Sequence, residues 1–121
     1  RCHFDTIREM NQMEKQDMKA IISKLVDRLK EQYQPEKIIL YGSYAYGSPD
    51  KESDIDLLII KDTSERPIDR RITVRRLISD IRNKMPFSSL VLTPDEISHY
   101  LAIGDDFLKE ITNKGLVLYE R

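Results

Sequence analysis

The chain is poor in features that would commit it to a specialised class. It has one cysteine, Cys2, among 121 residues, so no disulfide can form within it. The only neighbouring metal-ligand type, His3, makes too small a set for a zinc site. Neither sign of charge dominates: 20 basic and 21 acidic side chains give a formal net charge of -1, mixed along the chain without a polybasic block. Composition therefore gives no reason to expect direct binding of nucleic acid or of an acidic membrane. The longest apolar runs are strand-sized and no charged leader precedes them, so no membrane span or secretion signal is expected, and the cytoplasm is the expected compartment. Repeats, low-complexity tracts and linkers are missing too. Gly42 and Gly47 fail the dinucleotide and Walker spacings, and no Gly-Lys-Ser/Thr occurs.

What remains is a chain long enough for one domain, residues 1–121, burying roughly 65% of its unfolded surface. Met18, Ile21, Ile22, Leu25, Val26 and Leu29 recur at helical spacing and Pro35 ends the pattern, which predicts a helix from Met13 to Gln34, with residues 1–12 extending it or fraying. "KIILYG" (37–42) and "DIDLLII" (54–60) read as buried strands. Pro67 opens a second helix to about Lys84, with Ile68, Ile72, Leu77, Ile78 and Ile81 as its apolar stripe. "SSLVLT" (88–93) is a third strand, and Thr93, Pro94 and Glu96 have capping-box spacing for a short helix to Ala102. Gly104 breaks that helix, "DDFLKEITNK" makes another, and "LVLY" (116–119) forms a last strand after Gly115. The expected class is α/β or α+β, with a short mixed sheet of three to four strands and helices packed on it.

Two aspartates open the second strand. Residues two apart on a strand share a face, so Asp54 and Asp56 point one way while Ile55 and Leu57 point the other. Close carboxylates repel unless a positive charge lies between them, and Mg²⁺, which takes oxygen ligands and substrate phosphates, meets that need. Upstream, Gly42 ends a strand and Ser43 is placed to start a short helix through Tyr44, Ala45 and Tyr46. Glycine lets the backbone approach an anion, and free N–H groups beside a hydroxyl favour phosphate. Asp50, Glu52, Asp54 and Asp56 alternate like the start of a calcium loop, but Ile55 stands where that loop needs glycine.

Ser43, ten intervening residues and then Asp54-x-Asp56 resemble the Gly-Ser-x10-Asp-x-Asp signature of the DNA polymerase beta-like nucleotidyltransferase superfamily. "IILYGSYAYGSPDKESDIDLLII" is similar, more narrowly, to the minimal nucleotidyltransferases (MNT), often the antitoxin partners of HEPN-domain toxins. The resemblance implies that Gly42 and Ser43 hold nucleotide phosphates, that Asp54 and Asp56 bind Mg²⁺ and are catalytic, and that the substrate is a nucleoside triphosphate, with AMP passing from ATP to a hydroxyl of a HEPN toxin.

The chain departs from that pattern where the family's third carboxylate belongs. There it reads "FSSLVLT", placing Ser88, or Ser89 if the register slips by one, at that position. A serine hydroxyl adds no negative charge, which weakens metal binding and removes the usual general base. Asp95 and Glu96 are the nearest acids, though capping and first-turn preference already account for both. Tyr44 and Tyr46 stand where small relatives often carry arginine. Arg70, Arg71, Arg75 and Arg76 give the second long helix a basic side, read as largely solvated. Two functions fit: an adenylyltransferase acting on its toxin, or a nucleotide-binding antitoxin with weak or no transfer.

Overall fold

The computed structural model describes residues 12–42, 45, 55–82 and 86–121. In chain order the elements are α1 (Gln12–Gln32), β1 (Lys37–Tyr41), β2 (Ile55–Ile60), α2 (Pro67–Arg82), β3 (Phe87–Leu92), α3 (Pro94–Ala102), α4 (Asp106–Lys114) and β4 (Leu116–Glu120). The strands form one mixed sheet in the order β3-β2-β1-β4. β1 pairs antiparallel with both β2 and β4, while β2 and β3 run parallel, joined by α2 as the crossover that a parallel pair requires.

The period of two along each strand divides the core in two. Ile38, Leu40, Ile55, Leu57, Ile59, Phe87 and Val91 pack with Leu25 and Leu29 of α1 and Val74 and Ile78 of α2. The other face presents Ile39 and Leu58 to Leu108 and Ile111 of α4, flanked by Tyr41, Ile60, Leu90, Leu92, Ile97 and Leu101. β2 is central and covered on both sides, which is why its sequence is a nearly unbroken apolar run. Asp56 is its one acidic residue.

Local chemistry fixes the element ends. α1 stops where Tyr33 and Gln34 both donate their N–H to the Leu29 carbonyl at 2.9 Å, with Gln34 at φ 54° and Pro35 following. The Lys61 ammonium caps the Tyr33 carbonyl at 2.6 Å. The expected capping box of α3 is complete: the Glu96 N–H donates to Thr93 Oγ1 at 3.1 Å, and the Thr93 N–H donates to Glu96 Oε1 at 2.8 Å. Asp105 caps α4 by accepting from the Leu108 N–H at 2.8 Å.

The apolar stripe of α2 matches the expected one at Leu77, Ile78 and Ile81, which pack into the core, and differs from it in the first turns. Ile68 and Ile72 are exposed, at 62% and 44%, while Arg70, Val74 and Ile78 line the buried side. The guanidinium of Arg70 makes this possible by finding three acceptors: the Glu65 carbonyl at 2.8 Å, the Val91 carbonyl at 3.2 Å and Glu96 Oε1 at 2.7 Å. A charged group in that position fills the place of an apolar side chain because its Nε and Nη1 donors meet oxygens. Of the four arginines read as one solvated basic side, only Arg70 leaves it, Arg71, Arg75 and Arg76 remaining exposed. Among the described residues, no helix is long and apolar enough to cross a membrane.

Candidate active site

The site residues are assembled at the end of the sheet where β1 finishes and β2 and β3 begin. Antiparallel register sets Tyr41 opposite Asp56, and parallel register sets Asp56 beside Ser88. Directly paired residues project to the same face, so Tyr41, Asp56 and Ser88 form a row across three strands. That face is the one α4 covers further along, through Leu58, Leu108 and Ile111. Ser89 pairs with Leu57 instead and belongs to the opposite face, so Ser88 is the residue standing where a third carboxylate would adjoin Asp56.

Gly42 touches this row through its backbone. Its φ of +78° lies in the left-handed region, and a Cβ built there would run into the Asp56 carboxylate, with Cγ at 3.3 Å and Cβ at 3.5 Å. Only glycine both adopts that φ freely and leaves the space the carboxylate uses. The Ala45 N–H donates to the Gly42 carbonyl at 3.0 Å, so the chain turns tightly after β1, and Ala45 is helical. Ser43, Asp54, Tyr44 and Tyr46 lie outside the described residues. Of the expected site, the structure therefore brings together Gly42, Asp56 and Ser88.

Whether these residues suit Mg²⁺ is answered by their chemistry. Asp56 supplies a hard, half-buried carboxylate at the mouth of the sheet, and the space a Cβ would fill at Gly42 keeps the backbone against it. Asp54, two residues earlier in the sequence, is the other oxygen donor the motif expects, and an oxygen-only set is what magnesium requires. Among the described residues no group of three His, Cys, Asp or Glu converges as a metal cluster.

Glu96 is held elsewhere. It sits beyond the far end of β3 from Ser88, bound to the Thr93 N–H and to Arg70. Burial acts to raise its pKa, but the Thr93 N–H and the Arg70 guanidinium outweigh that effect and leave it below the ordinary glutamate value of 4.5. It serves the fold as cap and counter-ion, and no catalytic substitute for the absent carboxylate comes from it. Asp95 is exposed in the first turn of α3.

Sequence reasoning passed over one pair on this face. Tyr41 meets Phe107 of α4 edge to face, with ring centroids 5.6 Å apart and planes at 88°. Phe107 is 50% exposed. The signal available was slight: a phenylalanine one residue before the buried Leu108.

A helix-backed mixed sheet with this mouth is the nucleotidyltransferase-like fold. The whole-chain arrangement is similar to a crystal structure of a "putative nucleotidyltransferase" from Sulfolobus solfataricus, with a TM-score of 0.59 at 16% identity, covering 98% of this chain and 84% of that one. A chain from a crystal structure described as a toxin-antitoxin with AMP-PNP superposes with a TM-score of 0.55 at 19% identity, over 82% of this chain and 73% of that one. Residues 23–121 match the family described as "Polymerase beta, Nucleotidyltransferase", and the chain belongs to that family. Among curated proteins it is 30% identical over 91 residues to the "Putative protein adenylyltransferase MJ1305" of Methanocaldococcus jannaschii, which covers 71% of this chain and 62% of the relative. It is 51% identical over 43 residues to MJ0604 of the same organism, a relative of the same designation, covering 34% of this chain and 43% of that protein. The chain spans less than two thirds of the length of either relative.

Proposed function

We propose that this chain is a magnesium-dependent adenylyltransferase that passes AMP from ATP to a hydroxyl of a partner protein, a HEPN-domain toxin, and so acts as an antitoxin. The observation that carries this reading is the row Tyr41, Asp56, Ser88 at the mouth of the sheet, with the Gly42 backbone laid against the Asp56 carboxylate. The designation of the curated relatives as protein adenylyltransferases supports the reaction class. The toxin-antitoxin neighbour with AMP-PNP supports both the nucleotide and the partner.

In the proposed reaction Gly42 and Ser43 receive the phosphates through backbone N–H groups and a hydroxyl, and Asp54 and Asp56 hold magnesium. Bound magnesium supplies charge neutralisation at the transferred group and at the departing pyrophosphate. The acceptor oxygen bonds to the α-phosphorus, the bond from that phosphorus to the bridging oxygen breaks, and pyrophosphate leaves. The acceptor's proton passes to water, because Ser88 offers no carboxylate to take it. This chain mainly positions the triphosphate and balances its charge.

Ser88 also favours a second reading, a nucleotide-binding antitoxin that masks its toxin with little transfer. Incubation with magnesium, α-labelled ATP and the product of the neighbouring gene separates the two. Label on the partner that disappears in Asp54→Asn and Asp56→Asn is the result expected of the enzyme. A tight complex without label under any divalent metal would select the binder instead.

A further inference from the structure

The row of residues on the site face is asymmetric about Asp56. On one side lies Ser88, on β3, at the edge of the sheet. On the other lies Tyr41, on β1, backed by the half-exposed ring of Phe107 from α4. A nucleoside whose phosphates stand at Asp56 must extend across one of these neighbours. The β3 side offers a small polar residue at a sheet edge, whereas the β1 side offers two aromatic rings. Tyr41 also directly precedes Gly42, so the phosphate turn and the aromatic surface are consecutive in the chain.

We infer that Phe107, supported edge-on by Tyr41, is the stacking surface for the nucleobase of the bound triphosphate, which makes α4 part of the nucleotide site. This inference rests on the reading of the Asp56 mouth as a triphosphate site and adds where the base lies. The perpendicular packing of the two rings holds Phe107 in place through its contact with Tyr41 while half of its surface faces water. An exposed aromatic ring fixed in that way is pre-ordered for a planar partner, and every base has a π-face to offer. Phe107 is thereby a binding residue on a different element from Asp56, and the base is held by a helix that contributes nothing to the phosphate turn.

The test compares magnesium-ATP with magnesium-tripolyphosphate, which has the phosphates and no base, by calorimetry on the full chain. Phe107→Ala is expected to weaken ATP about tenfold while tripolyphosphate affinity stays unchanged. Asp56→Asn is expected to weaken both ligands. Because the chain contains no tryptophan, Phe107→Trp gives a single reporter whose emission should be quenched by ATP and not by tripolyphosphate. ATP affinity unchanged in Phe107→Ala, equal loss for both ligands, or an unquenched Phe107→Trp that still binds ATP would each overturn the inference and leave the triphosphate site standing. A wild-type chain that binds neither ligand would overturn both.

Discussion

Asp56 and Ser88 are register partners on adjacent parallel strands, so a carboxylate at position 88 would adjoin the one at position 56. Ser88→Asp should therefore supply the missing base and a further metal ligand. Label transfer from ATP is expected to rise roughly 100-fold, the usual scale of general-base assistance. The added negative charge should lower the melting temperature in chelator, and magnesium should restore it. Steady-state kinetics and melting curves with and without magnesium check both halves.

Gly42→Ala should be more harmful than its size implies. A left-handed φ and a blocked Cβ together predict a loss of about 1 to 3 kcal/mol in urea unfolding, with weaker magnesium-ATP binding as the Asp56 carboxylate is displaced. Gly104 is the control. Its φ is +83°, but an added Cβ would meet nothing nearer than Lys109 Nζ at 3.8 Å. Gly104→Ala is expected to lose about 1 kcal/mol of stability and no ATP affinity.

The pair formed by Glu96 and Arg70 makes stability depend on pH. Glu96 is held below its ordinary value of 4.5 in the folded chain, so its contribution is present above that value and lost as pH falls through the lower, folded one. Glu96→Gln removes the charge opposite a nearly buried guanidinium and should lose about 2 kcal/mol at neutral pH. The difference between wild type and variant should then shrink as the pH is lowered below 4.5. Urea titrations at neutral and acid pH read it directly, and a difference that stays constant across that range would remove Glu96 as the cause.

Much of this fold is legible in the sequence because the signals are local. Thr93, Pro94 and Glu96 announce the start of α3, and both capping hydrogen bonds form. Strand limits fall within a residue or two of the periodic pattern, and Gly42 marks the turn it makes. What was not legible depends on partners distant in the chain. Arg70 occupies a buried position because Val91 and Glu96 lie across from it, which no reading of α2 alone reveals, so the helical period puts Ile68 and Ile72 inside whereas they lie outside. The choice of Ser88 over Ser89 needed the register with β2, and the Tyr41–Phe107 contact needed the placement of α4 against β1. Asp54 and Ser43 remain inferences from the motif and the strand period, lying outside the described residues.

The antiparallel register of β1 with β2 fixes the two points between which the intervening chain must run. Tyr41 and Asp56 are set opposite each other by two strands that are themselves flanked by β4 and β3, so the backbone of both anchor points is held by the sheet. Lengthening a loop between fixed points costs in general only about 0.6 kcal/mol per doubling. Insertions between Ser43 and Asp54 are thus affordable, so the length of that span can change in evolution while Tyr41 before it and Asp56 after it keep their places in the sheet.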